Sequence, residues 1–220
     1  FVALSAAAYE TAQIAVKAVE SSAASATGEG LDVPGQVELD PRRVSLVSPR
    51  TGGRIERLSA AEGDRVGSGE VVAHLYSAEY LTAQADLAQA ERRAGVLAGT
   101  PDESGARALA QAARRRLRLM GVTDAEIQRL AAGGEPSATL ALRAPIAGSI
   151  MEAHVLPGAA VEAGAPVFTV ADLSVVDVVA DVPEAALPTV RVGQQATIGI
   201  AAYPTMRFAG DVERLRDARD

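Results

Sequence analysis

With 220 residues, 48% of them apolar but only 3% aromatic and none tryptophan, the chain is long enough for one or two globular domains built on an aliphatic core. Its net charge of −7 argues against a general nucleic-acid binder, which needs a basic surface to neutralise phosphates. The absence of cysteine excludes a disulfide framework, thiolate metal sites and cysteine nucleophiles.

Phe1 is not an initiator methionine, so the chain is expected to be a processed or cut piece, and it shows no signal-peptide pattern. No run of about 18 apolar residues predicts a membrane-spanning helix. Gln13–Glu20 alternates Ile14, Val16 and Ala18 with polar residues and predicts a strand. Ser21–Gly30 is small and polar, a linker. Leu31–Asp40 alternates again, with Pro34-Gly35 as a bend, and Val44–Pro49 is extended.

A repeat then begins. Gly53–Leu75 and Gly148–Val170 align without a gap, 95 positions apart. Gly53, Ile55, Gly63, Val66, Gly69, Val72 and Leu75 fall on Gly148, Ile150, Gly158, Val161, Gly164, Val167 and Val170. Each copy reads as a meander of two or three strands with glycine turns, where positive φ is available. One copy alone has exposed edges and too little core. Two copies facing each other predict a small sandwich with pseudo-twofold symmetry.

Between the copies the pattern becomes helical. Ser77–Ala98 is rich in Ala, Leu, Gln and Glu, with Ser77 as N-cap and Glu79 at the positive helix start. Tyr80, Leu81, Ala85 and Ala88 are expected to form its packing face. Gly99–Gly105 is a turn, and Ala106–Gly121 predicts a second helix packing through Leu109, Ala113, Leu117 and Met120. Thr123-Asp-Ala-Glu126 is a capping box opening a short third helix to Ala132. After the second copy, Val175–Val182, Gln195–Ala201 and Arg207–Leu215 predict strands. Pro183–Val190 is a short helix and Tyr203–Met206 a turn, and the closing Arg216–Asp220 leaves the last sheet unclosed.

The repeat resembles the biotinyl/lipoyl fold, whose halves each carry G-x-I…G-x-x-V-x-x-G. In carriers of that fold the halves meet at a hairpin presenting a lysine. Here the sole lysine is Lys17, outside the repeat, and the other 20 basic residues are arginine. A carrier therefore has no attachment point, and a helical hairpin stands in its place.

A lipoyl-like domain split by a helical hairpin and followed by barrel strands resembles the periplasmic adaptor (membrane fusion protein) family of tripartite efflux pumps of the RND class. The residues carrying this are EGDRVGSGEVVAHLYSAEYLTAQ (62–84), LRAPIAGSI (142–150), VPEAALPTVRVGQQATI (182–198) and FAGDVERL (208–215). The segment LRLMGVTDAEIQRL (117–130) is most similar to the heavy-metal branch, the adaptors of copper/silver and cobalt-zinc-cadmium pumps.

The fold implied is mostly β: a split lipoyl-like β-sandwich (45–76 and 138–171), an antiparallel α-hairpin (77–137) and a partial β-barrel (31–44 and 172–220). Residues 1–30 would be N-terminal strands of an incomplete membrane-proximal domain plus a linker. The function implied is non-enzymatic and needs no cofactor. It is the joining of an inner-membrane RND transporter to an outer-membrane channel, in the periplasm at the inner membrane, by a ring of commonly six adaptors, for heavy-metal cation efflux. Two alternatives stay open: a periplasmic chaperone binding the transported metal ion, and an adaptor for drug efflux or protein secretion.

In this family the hairpin tip docks on the channel, often through an Arg, a Leu four later and a Ser seven after that. Arg93, Leu97 and Ser104 match that spacing around the predicted turn. Candidate metal ligands are His74 and His154, the sole histidines, which fall opposite Thr169 and Ser59 in the repeat. Zinc takes three or four ligands, so structural or surface roles suit them better. Met120, Met151 and Met206 are too dispersed for a soft-metal site, and Met120 belongs to the helix packing face. Metal-binding methionines of the copper/silver adaptors lie in an N-terminal stretch that holds none here. The Arg114–Arg116 run with Arg118 reads as a solvated, salt-bridged helix face.

Overall fold

The computed structural model describes residues 30–215. The expected strand Gln13–Glu20, all but the last residue of the Ser21–Gly30 linker, and Arg216–Asp220 lie outside the described residues. The chain divides into two compact units, Ser45–Ala171 and the residues flanking it on both sides.

The first unit is the sandwich with its insert. One sheet holds, in order, β6 (Thr139–Arg143), β5 (Val71–Tyr76), β3 (Gly53–Leu58) and β8 (Ala160–Val161). The other holds β2 (Val44–Val47), β9 (Phe168–Ala171), β7 (Gly148–Ala153) and β4 (Arg65–Val66). The pairings of β3 with β5 and β8, of β5 with β6, and of β7 with β4 and β9 are antiparallel.

The 95-residue offset recurs in the pairing itself. Gly53 pairs with Val161 as Gly148 pairs with Val66, and Ile55 pairs with Leu75 as Ile150 pairs with Val170. The register slips just after Ile55 and just after Ile150. Gly63 donates its N–H to the Ile150 carbonyl, and its counterpart Gly158 donates to that of Ile55. Both glycines sit at positive φ, 86° and 90°.

The copies are not separate meanders, as their sequence suggests. Each gives its two-residue strand to the other's sheet: β4 of the first copy pairs β7, and β8 of the second pairs β3. This exchange closes the sandwich around Ile55, Val72, Leu75, Ile150, Val167, Phe168 and Val170, all at most 1% exposed. At about 25 cal/mol per Å², burial of such aliphatic side chains is the main term holding the sheets together.

The insert leaves after β5 and returns into β6. It comprises α1 (Ala78–Val96), α2 (Glu103–Leu119) and α3 (Asp124–Ala131). The Ser77 hydroxyl accepts from the Tyr80 N–H, and Thr123 and Glu126 form the complete capping box.

Two packing faces differ from expectation. On α1 the buried stripe is Tyr80, Ala83, Gln84 and Leu87, with Leu81 and Ala85 turned to solvent. On α2 it is Ala106, Ala110, Leu117 and then Met120, while Leu109 is 55% exposed. Alanine lies on every side of both helices, so apolar spacing defines no single face. The close antiparallel approach selects the small residues instead.

The second unit contains two antiparallel ribbons: β1 (Gly35–Leu39) with β10 (Val176–Ala180), and β11 (Gln195–Ile200) with β12 (Tyr203–Asp211). Val176 and Ile200 are buried there against Val37, Ile198, Tyr203 and Phe208. No closed barrel forms among the described residues, as the partial barrel expected from the sequence requires. The expected turn at Tyr203–Met206 is instead the start of β12, and the reversal falls on Ala201-Ala202. Pro204 is tolerated because it enters at the strand's beginning, beside a register shift at Gly199/Ile200. Asp40 accepts from the Arg42 N–H and Nε, both at 2.9 Å, and these bonds hold its carboxyl below the usual carboxylate range.

Candidate docking surface of the helical hairpin

The hairpin is fastened along its length by charge pairs. Arg114 Nε lies 2.7 Å from Glu91, and Arg116 bridges Asp86 at 3.1 Å and Glu79 at 3.5 Å, each across the two helices. Arg118 meets Asp124 at 2.6 Å. The arginine run is thus a salt-bridged face. Exposed pairs of this kind contribute about 0.2–1 kcal/mol each and serve mainly to fix the register of the two helices.

At the tip, Leu97 caps α1 and donates its N–H to the Arg93 carbonyl at 3.0 Å. Gly99 turns at φ 76°, and its N–H donates to Glu103 at 2.8 Å. Ser104 follows in the first turn of α2. Arg93 and Ser104 are exposed and Leu97 is half-buried. The structure therefore places Leu97 and Ser104 on either side of the reversal, with Arg93 one helical turn below. Among the described residues no ion pair neutralises Arg93.

The root also holds a largely buried set of polar side chains, Thr51, Ser77 and Gln84. The Thr51 hydroxyl donates to Glu79 at 2.7 Å and lies 3.4 Å from that of Ser77. The Ser77 N–H donates to the Ala138 carbonyl at 2.9 Å, tying outgoing and returning chain together. Gln84, fully buried, donates to the Ser137 carbonyl at 2.6 Å and accepts from the Ser137 N–H at 3.0 Å. Sequence reasoning missed Gln84 and Thr51. The signal for Gln84 was its place on the helical stripe between Tyr80 and Leu87.

The two histidines are held apart: His74 lies on β5 and His154 just after β7, and in the repeat they fall opposite Thr169 and Ser59, not opposite each other. Arg57 donates to His74 Nε2 at 3.0 Å, so the proton is on Nδ1, which donates to Ser59 Oγ at 3.3 Å. In the second copy the pair is reversed: His154 Nε2 lies 2.8 Å from Thr169 Oγ1. Among the described residues no three His, Cys, Asp or Glu side chains converge as a metal site.

Burial, then the Arg57 charge, lowers the His74 pKa from its usual 6.5. The unfolded chain then binds a proton at higher pH than the folded one. Stability contributed by the neutral ring is present above pH 6.5 and is lost as pH falls from there to the folded pKa. Thermal melts at pH 7 and pH 5 should show a smaller drop in Tm for His74→Gln than for the parent.

Comparison with known proteins places this architecture. Residues 43–172, more than half of the chain, match the family of the CzcB-like barrel-sandwich hybrid domain. The chain belongs to the CzcB-like membrane fusion proteins. Residues 176–217 match the CusB-like β-barrel domain. The cation efflux system protein CzcB of Alcaligenes sp. (strain CT14) is 29% identical over 227 residues, covering 91% of this chain and 43% of that protein. The nickel and cobalt resistance protein CnrB of Cupriavidus metallidurans (strain ATCC 43123 / DSM 2839 / NBRC 102507 / CH34) is 32% identical over 200 residues, covering 84% and 49%. The chain thus spans less than half the length of these relatives.

The crystal structure of ZneB from Cupriavidus metallidurans superposes on this CzcB-like chain with a TM-score of 0.55 at 29% identity, over 86% of this chain and 84% of that one. A MacA-MexA chimera carrying the MexA α-hairpin domain shares the fold at TM-score 0.55 and 20% identity, over 81% of this chain and 65% of that one. No helix among the described residues is long and apolar enough to cross a membrane.

Proposed function

We propose that this CzcB-like protein is the periplasmic adaptor of a heavy-metal RND efflux system. It joins an inner-membrane transporter to an outer-membrane channel as part of a ring of adaptors, commonly six, held at the inner membrane. In this reading residues 45–76 and 138–171 are the lipoyl-like domain, 77–137 the docking hairpin, and 31–44 with 172–220 the barrel. It performs no catalysis. The observation that carries the reading is the hairpin itself: an insert that interrupts a carrier-like sandwich and ends in an exposed tip. The cation-efflux, cobalt-zinc-cadmium and nickel-cobalt resistance roles named for its relatives support cobalt, zinc, cadmium or nickel as the exported cargo.

Arg93, Leu97 and Ser104 form the channel contact. Arg93 offers an uncompensated charge and Leu97 a half-buried apolar anchor, and binding through many copies multiplies a modest contact by avidity. Arg93→Asp with Leu97→Asp, introduced into the full-length protein, should lower the cobalt, zinc and cadmium concentrations its cells tolerate several-fold. The Tm of the purified variant should stay within about 2 °C of the parent, as expected for surface changes. Unchanged tolerance with normal expression would remove the three residues from the docking role.

A further inference from the structure

The core of the hairpin is uneven. Tyr80, Ala83, Leu87, Leu117, Met120, Val122, Ile127 and Leu130 belong to one continuous apolar cluster with sandwich residues such as Val47, Leu75 and Leu140. Towards the tip, the buried side chains of the two long helices shrink to Ala106 and Ala110. The root is thus part of the sandwich core, while the outer half is held by small residues and surface charge pairs.

Within that root Gln84 stands out. It is 0% exposed and is the largest fully buried polar side chain among the described residues. Its carboxamide acts as a piece of backbone. It satisfies both the N–H and the carbonyl of Ser137, where the chain returns from the insert towards β6, and also donates to the Tyr80 carbonyl at 3.3 Å. A two-pronged bond between a helix side chain and the returning strand restrains rotation as well as separation. Thr51, on the loop between β2 and β3, provides a second tie by its bond to Glu79 one turn earlier on α1.

The lever arm makes such restraint consequential. The 19 residues of α1 extend about 28 Å at 1.5 Å per residue, so a tilt of about 10° at the root displaces the tip by about 5 Å. That exceeds the tolerance of any hydrogen bond or side-chain contact.

We infer that Gln84 is a positioning residue: its two hydrogen bonds to Ser137 set the angle of the hairpin on the sandwich and deliver the tip to its partner already aimed. The functional meaning of this rests on the adaptor reading above; the angle itself does not. An insert preset in this way binds without first losing freedom of orientation, so more of the contact energy appears as affinity.

The test uses the cysteine-free chain. Spin labels at Thr100→Cys and Glu162→Cys, both exposed positions, report tip-to-sandwich distance by pulsed electron resonance. Labels at Arg65→Cys and Glu162→Cys report the sandwich alone. With Gln84→Leu, of similar volume but unable to bond Ser137, the tip distance distribution should broaden at least twofold or shift by about 5 Å, following the lever estimate. The sandwich pair should stay as in the parent. Gln84→Met, unbranched and adaptable, provides the same comparison where the leucine variant does not fold. A tip distribution identical to the parent in either folded variant would overturn the inference. Because no channel is present in this measurement, a failed docking test at Arg93 and Leu97 leaves its outcome untouched.

Discussion

Gly53→Ala is expected to destabilise the sandwich by about 3 kcal/mol, at the upper end of overpacking effects. Gly53 opens β3 between β5 and β8. A Cβ there would lie 2.1 Å from the Tyr76 carbonyl oxygen and 3.1 Å from the Leu75 side chain. The first obstacle is backbone, which no rotamer change can clear, and it belongs to the last residue before the hairpin. Relief means parting β3 from β5 where the insert is anchored. The loss corresponds to a fall in Tm of roughly 10 °C for a chain of this size. Gly63→Ala is the control. Its φ of 86° is unfavourable to alanine, but nothing lies within 4 Å, so its cost should stay near 1 kcal/mol. Equal melting temperatures for the two variants would show that close strand approach is not what position 53 requires.

Leu117→Ala should cost about 3 kcal/mol, whereas Leu109→Ala two turns earlier on the same helix should stay within about 0.5 kcal/mol. Leu117 is 0% exposed in the cluster shared by hairpin root and sandwich, and its removal leaves a cavity that Tyr80, Leu87 and Met120 cannot fill without moving. Leu109 is exposed and lies outside that cluster, so its loss uncovers little. Chemical denaturation of both variants measures the difference directly. A similar loss for both would mean that the outer half of the hairpin has a core as deep as the root.

That pair of leucines also marks where the sequence stops being informative. The sandwich was legible because glycine and β-branched residues recur at one offset, and several of these glycines answer a backbone need: positive φ at 63, 69, 158 and 164, strand contact at 53. The strand exchange was not legible, because two residues such as Arg65-Val66 carry no mark of which sheet they join. In the hairpin the helices and their caps could be read from Ser77 and the Thr123–Glu126 box. Their faces could not, because alanines at 83, 85, 88 and 90 make several faces equally apolar. Gln84 was hidden for a different reason: polarity argues for solvent unless a backbone partner 53 residues away is known. At the tip the turn was legible from Gly99 and its neighbours, whereas Arg93, Leu97 and Ser104 were picked out by the resemblance to the adaptor family.

The paired connection of the insert has a mechanical consequence. α1 continues from β5, and the returning chain enters β6, its antiparallel neighbour in the same sheet. A pull on the tip therefore loads both strands along their length and in the same direction. The bonds from β5 to β3 resist that load in shear, many at once, rather than one after another as in a peeled edge. Ser77 and Ala138, joined by a single backbone bond at the junction, keep the two strands from taking the strain unequally. An element built this way transmits traction from a distant partner into the sandwich without unravelling it.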